Sequence, residues 1–343
     1  MIAATAATGN GGGSRRFVPP PRAAVAARRF EHPLFAGLQD FRDLLDGTAW
    51  PSIAALDARL AVPGKRLVEQ DAALQADGLH YEVRIAQGRI ATRAGNWHDL
   101  FNALVWASQP QLKRALNVRQ CLHIEAMPPG QRNRAQAALT QFDETGVIVR
   151  VRDDSLLAAW DAHDWPALFD PVNWQSGDIA ITVVFGHALM EQALLPGRLL
   201  VGKCVVVQGD ADAACVDVMT AAIAEGRAVT DPLQLRPLPL AGIPGWHDVQ
   251  DSAFYRNADY FRPLRAGPSA EHGLGSTTAA RSGMARRYTG SYSTPITAKV
   301  NCPPGSSTEN SSSSRFFSSA RARGESMLIQ PRPASVSSGP TMR

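Results

Sequence analysis

The chain reads as a single mixed α/β domain, with a helix-rich first half and a β-α-β unit around residues 178–226. Three features of the sequence lead there. First, two nearly unbroken apolar runs rich in β-branched residues, 179–185 and 199–207, are each followed by a helical pattern. That is the order of a crossover unit, whose strands are usually parallel. Second, Trp97, Leu100, Phe101, Leu104 and Val105 recur at spacings of three and four, the stripe of an amphipathic helix. Third, charge is partitioned. Of 35 basic and 31 acidic residues, 1–30 hold five Arg and no acid, and 266–343 hold nine basic and three acidic residues. The middle, 31–265, is left with 21 basic against 28 acidic, and its 235 residues are enough for one full core.

Each element has its own signal. Residues 31–46 place Leu34, Phe35, Leu38, Phe41, Leu44 and Leu45 on one helical face. Residues 52–60 read as a second helix, with Ser52 as N-cap after Pro51. Residues 79–85 alternate as a strand, turned by Gln87 and Gly88 into a partner at 89–92. The helix 97–106 is capped by Asn96, with Asp99 three residues on in a capping-box-like arrangement. Pro110 opens another at 111–117, and a third covers 132–142. Residues 143–146 read as a turn, 147–151 as a strand and 156–160 as a short helix. After 178–185 come a helix at 187–195, stopped by Pro196 and Gly197, the strand 199–207, and a helix at 210–225. The Pro-rich segment 232–263 is irregular, and Trp246, Phe254, Tyr255, Tyr260 and Phe261 are expected to tie it across the core.

The two ends read as disordered: 1–30 as an N-terminal extension with linker chemistry, and 266–343 as a Ser/Arg/Pro-rich tail, native or not. The pI near 9.0 belongs to these ends, so no nucleic-acid partner is expected for the folded part. The longest apolar run is far short of the ~20 residues of a membrane helix, and the start lacks the pattern of a secretory signal. Four Cys without metal spacing point to a reducing, cytoplasmic setting for a soluble protein.

The run from Gly197 through Gly202, Lys203 and Cys204 nearly spells a phosphate-binding loop. Here the helix precedes and the strand runs through it, and Cys204 replaces the magnesium-binding hydroxyl, so that reading is set aside. Three clusters carry chemistry. Trp97, His98, Asp99 and Asn102 share the start of a helix, where they form either a pocket wall or a cap with a satisfied histidine. Asp143 and Glu144 are paired carboxylates suited to a metal or to acid/base work, or a solvated turn. His187 sits at a strand-to-helix junction, where α/β proteins bind ligands, beside Gly186, which permits close backbone approach. Glu191, one turn on, can orient its imidazole, or the pair is simply a core histidine with its partner.

These blocks, with Lys113 and Asn117, Leu139 and Thr140, and the closing Gly242, Pro244, Gly245, Trp246, Tyr260, Phe261 and Pro263, resemble a bacterial family catalogued as domain of unknown function 3025. The resemblance covers roughly 31–265. It implies a bacterial cytoplasmic protein and supplies no activity.

Two functions are consistent with the residues. One is a metal-assisted or acid/base hydrolase in which His98, Asp99, Asp143, Glu144, His187 and Glu191 meet in one cleft. There His187 and Asp143 are metal ligands or general bases, and Trp97, Asn102 and Lys113 are substrate contacts. Its cofactor would be a divalent metal and its partner a small molecule. The other is a non-catalytic binding or assembly module, in which the same groups form a buried polar network and a protein is the partner.

Overall fold

The computed structural model describes residues 17–152, 154–264 and 296–297. Contacts divide the chain into Met1–Val300 and Asn301–Arg343, and every described residue lies in the first unit. Part of the expected N-terminal extension is structured. Arg22 and Phe30 are buried, and Arg22 donates to the carbonyls of Leu44 (2.6 Å) and Gly47 (2.7 Å) beneath Trp50 and Trp97. Composition hides such long-range ties. Residues 1–16, and 265–343 apart from Ile296–Thr297, lie outside the described residues, as do the expectations made for them.

Residues 31–46 do not form one α-helix. They wind mainly as 3-10 turns, Ala27–Glu31 and Pro33–Phe41, before a single α-turn, Arg42–Leu45. Pro33 and Gly37 weaken the α-helix here, while spacings of three serve the tighter helix as well. Leu34, Phe35, Leu38, Leu44 and Leu45 are buried as expected. Helix α1, Ile53–Leu60, starts at Ser52, whose side chain accepts the Ala55 N–H.

The expected strand at 79–85 is instead helix α2, Tyr81–Ala86, entered from His80, whose ring accepts the Glu82 N–H. Alternation over seven residues cannot resist tertiary ties, and here Asn117 holds the Glu82 carbonyl. Strand β2, Arg89–Thr92, does form, but its partner is the unforeseen β1, Arg66–Glu69, in parallel register.

Helix α3, Trp97–Ser108, is buried on almost every side and capped by Asn96. Helices α4, Pro110–Ala126, and α5, Arg134–Thr145, follow, the latter started by a reciprocal capping box between Asn133 and Gln136. The expected turn at 143–146 is not one. Helix α5 runs through Asp143, Glu144 and Thr145, and the chain enters strand β3, Gly146–Val151, with no intervening loop.

Strand β3 is wholly buried at the centre of the main sheet. Helix α6, Ser155–Asp161, strand β4, Ile179–Val184, helix α7, His187–Gln192, strand β5, Val201–Gln208, helix α8, Asp212–Ala224, and strand β6, Arg236–Pro239, follow, with short helical turns at Trp165–Leu168, Pro171–Gln175 and Ser252–Tyr255. The sheet order is β4-β3-β5-β6, and strand β7, Ile296–Thr297, pairs with the end of β5. The strand-helix-strand order at 178–226 is present, but its two strands are not parallel neighbours. Both flank β3, with β4 antiparallel to it and β5 parallel. Strand direction leaves no trace in an apolar run, because a covered strand reads the same either way. Residues Gly202, Lys203 and Cys204 lie inside β5, so the phosphate-loop spelling is extended strand.

The closing aromatics do tie the Pro-rich segment down. Tyr255 and Phe261 pack on Phe169, and the Tyr260 hydroxyl donates to the Leu200 carbonyl at 2.6 Å. Among the described residues, no helix is long and apolar enough to cross a membrane.

Candidate functional site

Two junctions meet at one point. Helix α5 passes into β3 at Gly146, and β4 passes into α7 at Gly186. The N–H groups of Phe185 and Gly186 both donate to the Gly146 carbonyl at 2.9 Å, and Phe142 stacks on Phe185 at 5.4 Å. A side chain at Gly186 would lie 2.4 Å from the Thr145 backbone and 2.6 Å from the Glu144 carbonyl. Glycine is therefore required for close approach of two backbones. The approach sets the last turn of α5, with Asp143 and Glu144, beside His187 at the head of α7. Helix α3 packs against α7 and presents His98 to the same point.

The two imidazoles face each other through their Nε2 atoms at 3.0 Å. His98 Nδ1 meets Glu191 Oε2 at 3.2 Å, and His187 Nδ1 is turned toward Asp143, whose carboxylate lies 3.7 Å away. Glu144 completes the group, with oxygens 3.9 Å from His98 Nε2 and 3.8 Å from His187 Nε2. Burial opposes protonation of His98, but the Glu191 hydrogen bond and the charges of Glu144 and Glu191 outweigh it and hold the ring above the usual histidine range. Burial, with the charges of Lys113 and His98, holds His187 well below that range, and burial pushes the Glu144 carboxyl up.

Beside the imidazoles lies a cavity of about 450 Å³. His98, Glu144 and His187 line it, while Glu191 stands behind His98 and does not. Lys113, almost fully buried, donates to Asn102 and to Asp143 at 2.7 Å each, over the faces of Trp106 and Phe185. Asn102 in turn donates to the Tyr81 hydroxyl at 2.8 Å.

The structure thus brings together His98, Asp143, Glu144, His187 and Glu191, with Asn102 and Lys113 alongside. Two of the expected residues are engaged with other groups. Trp97 is core: it is buried against Phe30, Trp50 and Phe101, and its indole donates to the Pro20 carbonyl. Asp99 reaches the cavity wall, but its carboxylate holds the Arg93 backbone N–H (2.6 Å) and guanidinium (2.8 Å), which ties β2 to α3 instead of completing a capping box.

Sequence reading missed Tyr81, Glu82 and Asn117, which also line the cavity. The strand assignment at 79–85 hid Tyr81 and Glu82, while Asn117, inside the expected helix at 111–117, carried no local signal that set it on a cavity. Glu82 accepts from Asn117 at 2.7 Å, and burial, reinforced by the Asp143 charge, pushes its carboxyl up to about 7. A raised folded-state pKa makes a stabilising contribution that is complete below the ordinary value of 4.5 and lost as pH rises from there through about 7. Wild type is therefore expected to lose roughly 1–3 kcal/mol relative to Glu82→Gln between about pH 5 and pH 8.5. Denaturant midpoints measured across that range check this, and parallel curves for the two proteins would refute it.

What emerges is a mixed α/β domain with a His/Glu cluster on the wall of a polar cavity. The chain belongs to the family described as Protein of unknown function (DUF3025), whose profile matches residues 65–265. No curated protein and no solved structure matches it.

Proposed function

We propose that the protein is a metal-dependent hydrolase whose divalent ion is held by His98, His187 and Glu144. The observation that carries this is the Nε2 to Nε2 approach at 3.0 Å. With Nδ1 of each ring turned to a carboxylate-bearing residue, both Nε2 lone pairs point into one gap, where only a cation or a shared proton relieves their repulsion. Donors about 2.1 Å from a tetrahedral zinc lie about 3.4 Å apart; the two Nε2 atoms are 3.0 Å apart, each lies 3.8 or 3.9 Å from a different Glu144 oxygen, and one donor atom from each of the three residues lies within 4.8 Å of the other two. Glu191 and Asp143 take the position of the carboxylates that orient metal-binding histidines. The ligand set is thus His98, His187 and Glu144 in place of His187 and Asp143, because Asp143 faces the far nitrogen of His187 and is engaged by Lys113.

Three protein donors would leave a position open, and a divalent ion held there would lower the pKa of its water toward about 7 and so supply a nucleophile near neutral pH. The chain's own contribution is positioning. Asn102 donates to the Tyr81 oxygen, so the Tyr81 O–H remains to donate to a substrate oxygen, and burial raises its pKa, keeping it protonated. A cytoplasmic setting fits the unpaired Cys121, Cys204 and Cys215.

The second reading is the binding or assembly module, in which His98 carries the shared proton and donates it to His187. The opposed shifts of the two rings favour it. Zinc titration separates the two readings. One zinc per chain is expected, with Glu144→Gln and His98→Ala each weakening it by more than about 100-fold while the thermal transition persists. Chelation is expected to stop hydrolysis of 4-nitrophenyl acetate. No zinc uptake, together with unfolding of both His98→Ala and His187→Ala, would establish the structural network instead.

A further inference from the structure

The charges that line the cavity are matched, except for two. Lys113 is paired with Asp143, Arg93 with Asp99, and His98 lies against Glu191 and Glu144. Glu82 and Arg132 also line it, and among the described residues neither makes an ion pair, with one another or with any other group. Glu82 is half-buried. One of its oxygens accepts from Asn117, and the other has no donor among the described residues. Arg132 is exposed at the rim, yet near enough for its charge to act on Glu82. His80 stands beside Arg132 and is held below the usual histidine range by burial and by that guanidinium.

A carboxylate and a guanidinium that share a cavity without touching are complementary to a ligand carrying both opposite charges close together. An ammonium and a carboxylate on one carbon meet that requirement. We propose that the cavity binds the zwitterionic head group of an α-amino-acid derivative, with the ammonium on Glu82 and the carboxylate on Arg132. The remainder of the ligand runs past Tyr81 toward His98 and His187. A volume of about 450 Å³ suits a molecule of that size, within the range of about 300–1,000 Å³ for small-molecule sites. An ammonium also removes the strain on Glu82, whose charged form is otherwise disfavoured by burial. The reacting end of this ligand rests on the metal reading above; the head group does not.

Three hydroxamates isolate the two charges. Aspartate β-hydroxamate carries both, succinate monohydroxamate lacks the ammonium, and β-alanine hydroxamate lacks the carboxylate. Titrated into full-length zinc-loaded protein, the first is expected to bind at least about tenfold tighter than either of the others. Glu82→Gln should erase its advantage over the succinate compound, and Arg132→Gln its advantage over the β-alanine compound. Glu82→Gln keeps an oxygen for Asn117, and Arg132 is at the surface, so both variants are expected to keep the wild-type fold at neutral pH. Equal affinity of the three compounds for wild type, or a preference that survives both substitutions, overturns the proposal. Acetohydroxamate and zinc stoichiometry report on the metal separately. If zinc does not bind, the same series read by thermal shift on chelator-treated protein still decides the head group: ranked stabilisation upholds it and equal stabilisation overturns it.

Discussion

Asp143→Ala is expected to destabilise the protein by about 3–5 kcal/mol, far more than Lys113→Met at the other end of the same ion pair. The asymmetry follows from burial. The Lys113 side chain is 3% exposed and the Asp143 side chain 27%. Removing the carboxylate strands an ammonium between Trp106 and Phe185, with Asn102 as its remaining partner. Removing the ammonium leaves a carboxylate that water already reaches. The double variant, Lys113→Met with Asp143→Ala, should therefore be more stable than Asp143→Ala alone. Chemical denaturation of the four proteins gives the cycle. Equal costs for the two single variants, or a double variant less stable than both, would show that the pair does not act as a buried charge and its counter-ion.

At Gly186, alanine places a methyl group against the backbone of Glu144 and Thr145, atoms that can move only if α5 or α7 moves. Overpacking usually costs about 1–3 kcal/mol, and a clash with backbone belongs at the upper end. The relief also has a direction. Pushing α7 from the end of α5 opens the distance from Glu144 to His187, so zinc affinity should fall by at least about tenfold in a protein that still folds. Gly186 has φ near −66°, a conformation alanine adopts freely, so a destabilised variant would implicate space and not backbone geometry. Wild-type stability in Gly186→Ala would mean that the junction is looser than these contacts require.

Much of the candidate site is legible in the sequence because its chemistry is local. His98 and Asn102 share a helix face by their spacing, Asp143 and Glu144 are adjacent, and Glu191 lies one turn beyond His187. These relations hold wherever the helices go. The long helix at Trp97, the strands around 147–151, 179–184 and 201–208, and the helices that follow them are set by apolar periodicity and caps, which act within a few residues.

Local order thus specifies which side chains share a face and where most helices and strands begin. It leaves open that β4 and β5 both flank β3, that 81–86 is helix, that Trp97 is core, and that Glu144 rather than Asp143 lies 3.9 and 3.8 Å from the facing Nε2 atoms of the two imidazoles. Those four outcomes belong to packing between distant parts of the chain. A helix face is fixed by bonds four residues apart, whereas the meeting of Glu144 with His187 depends on Gly146 and Gly186 letting two backbones touch, although both strand β4 and helix α6 lie between them in the chain.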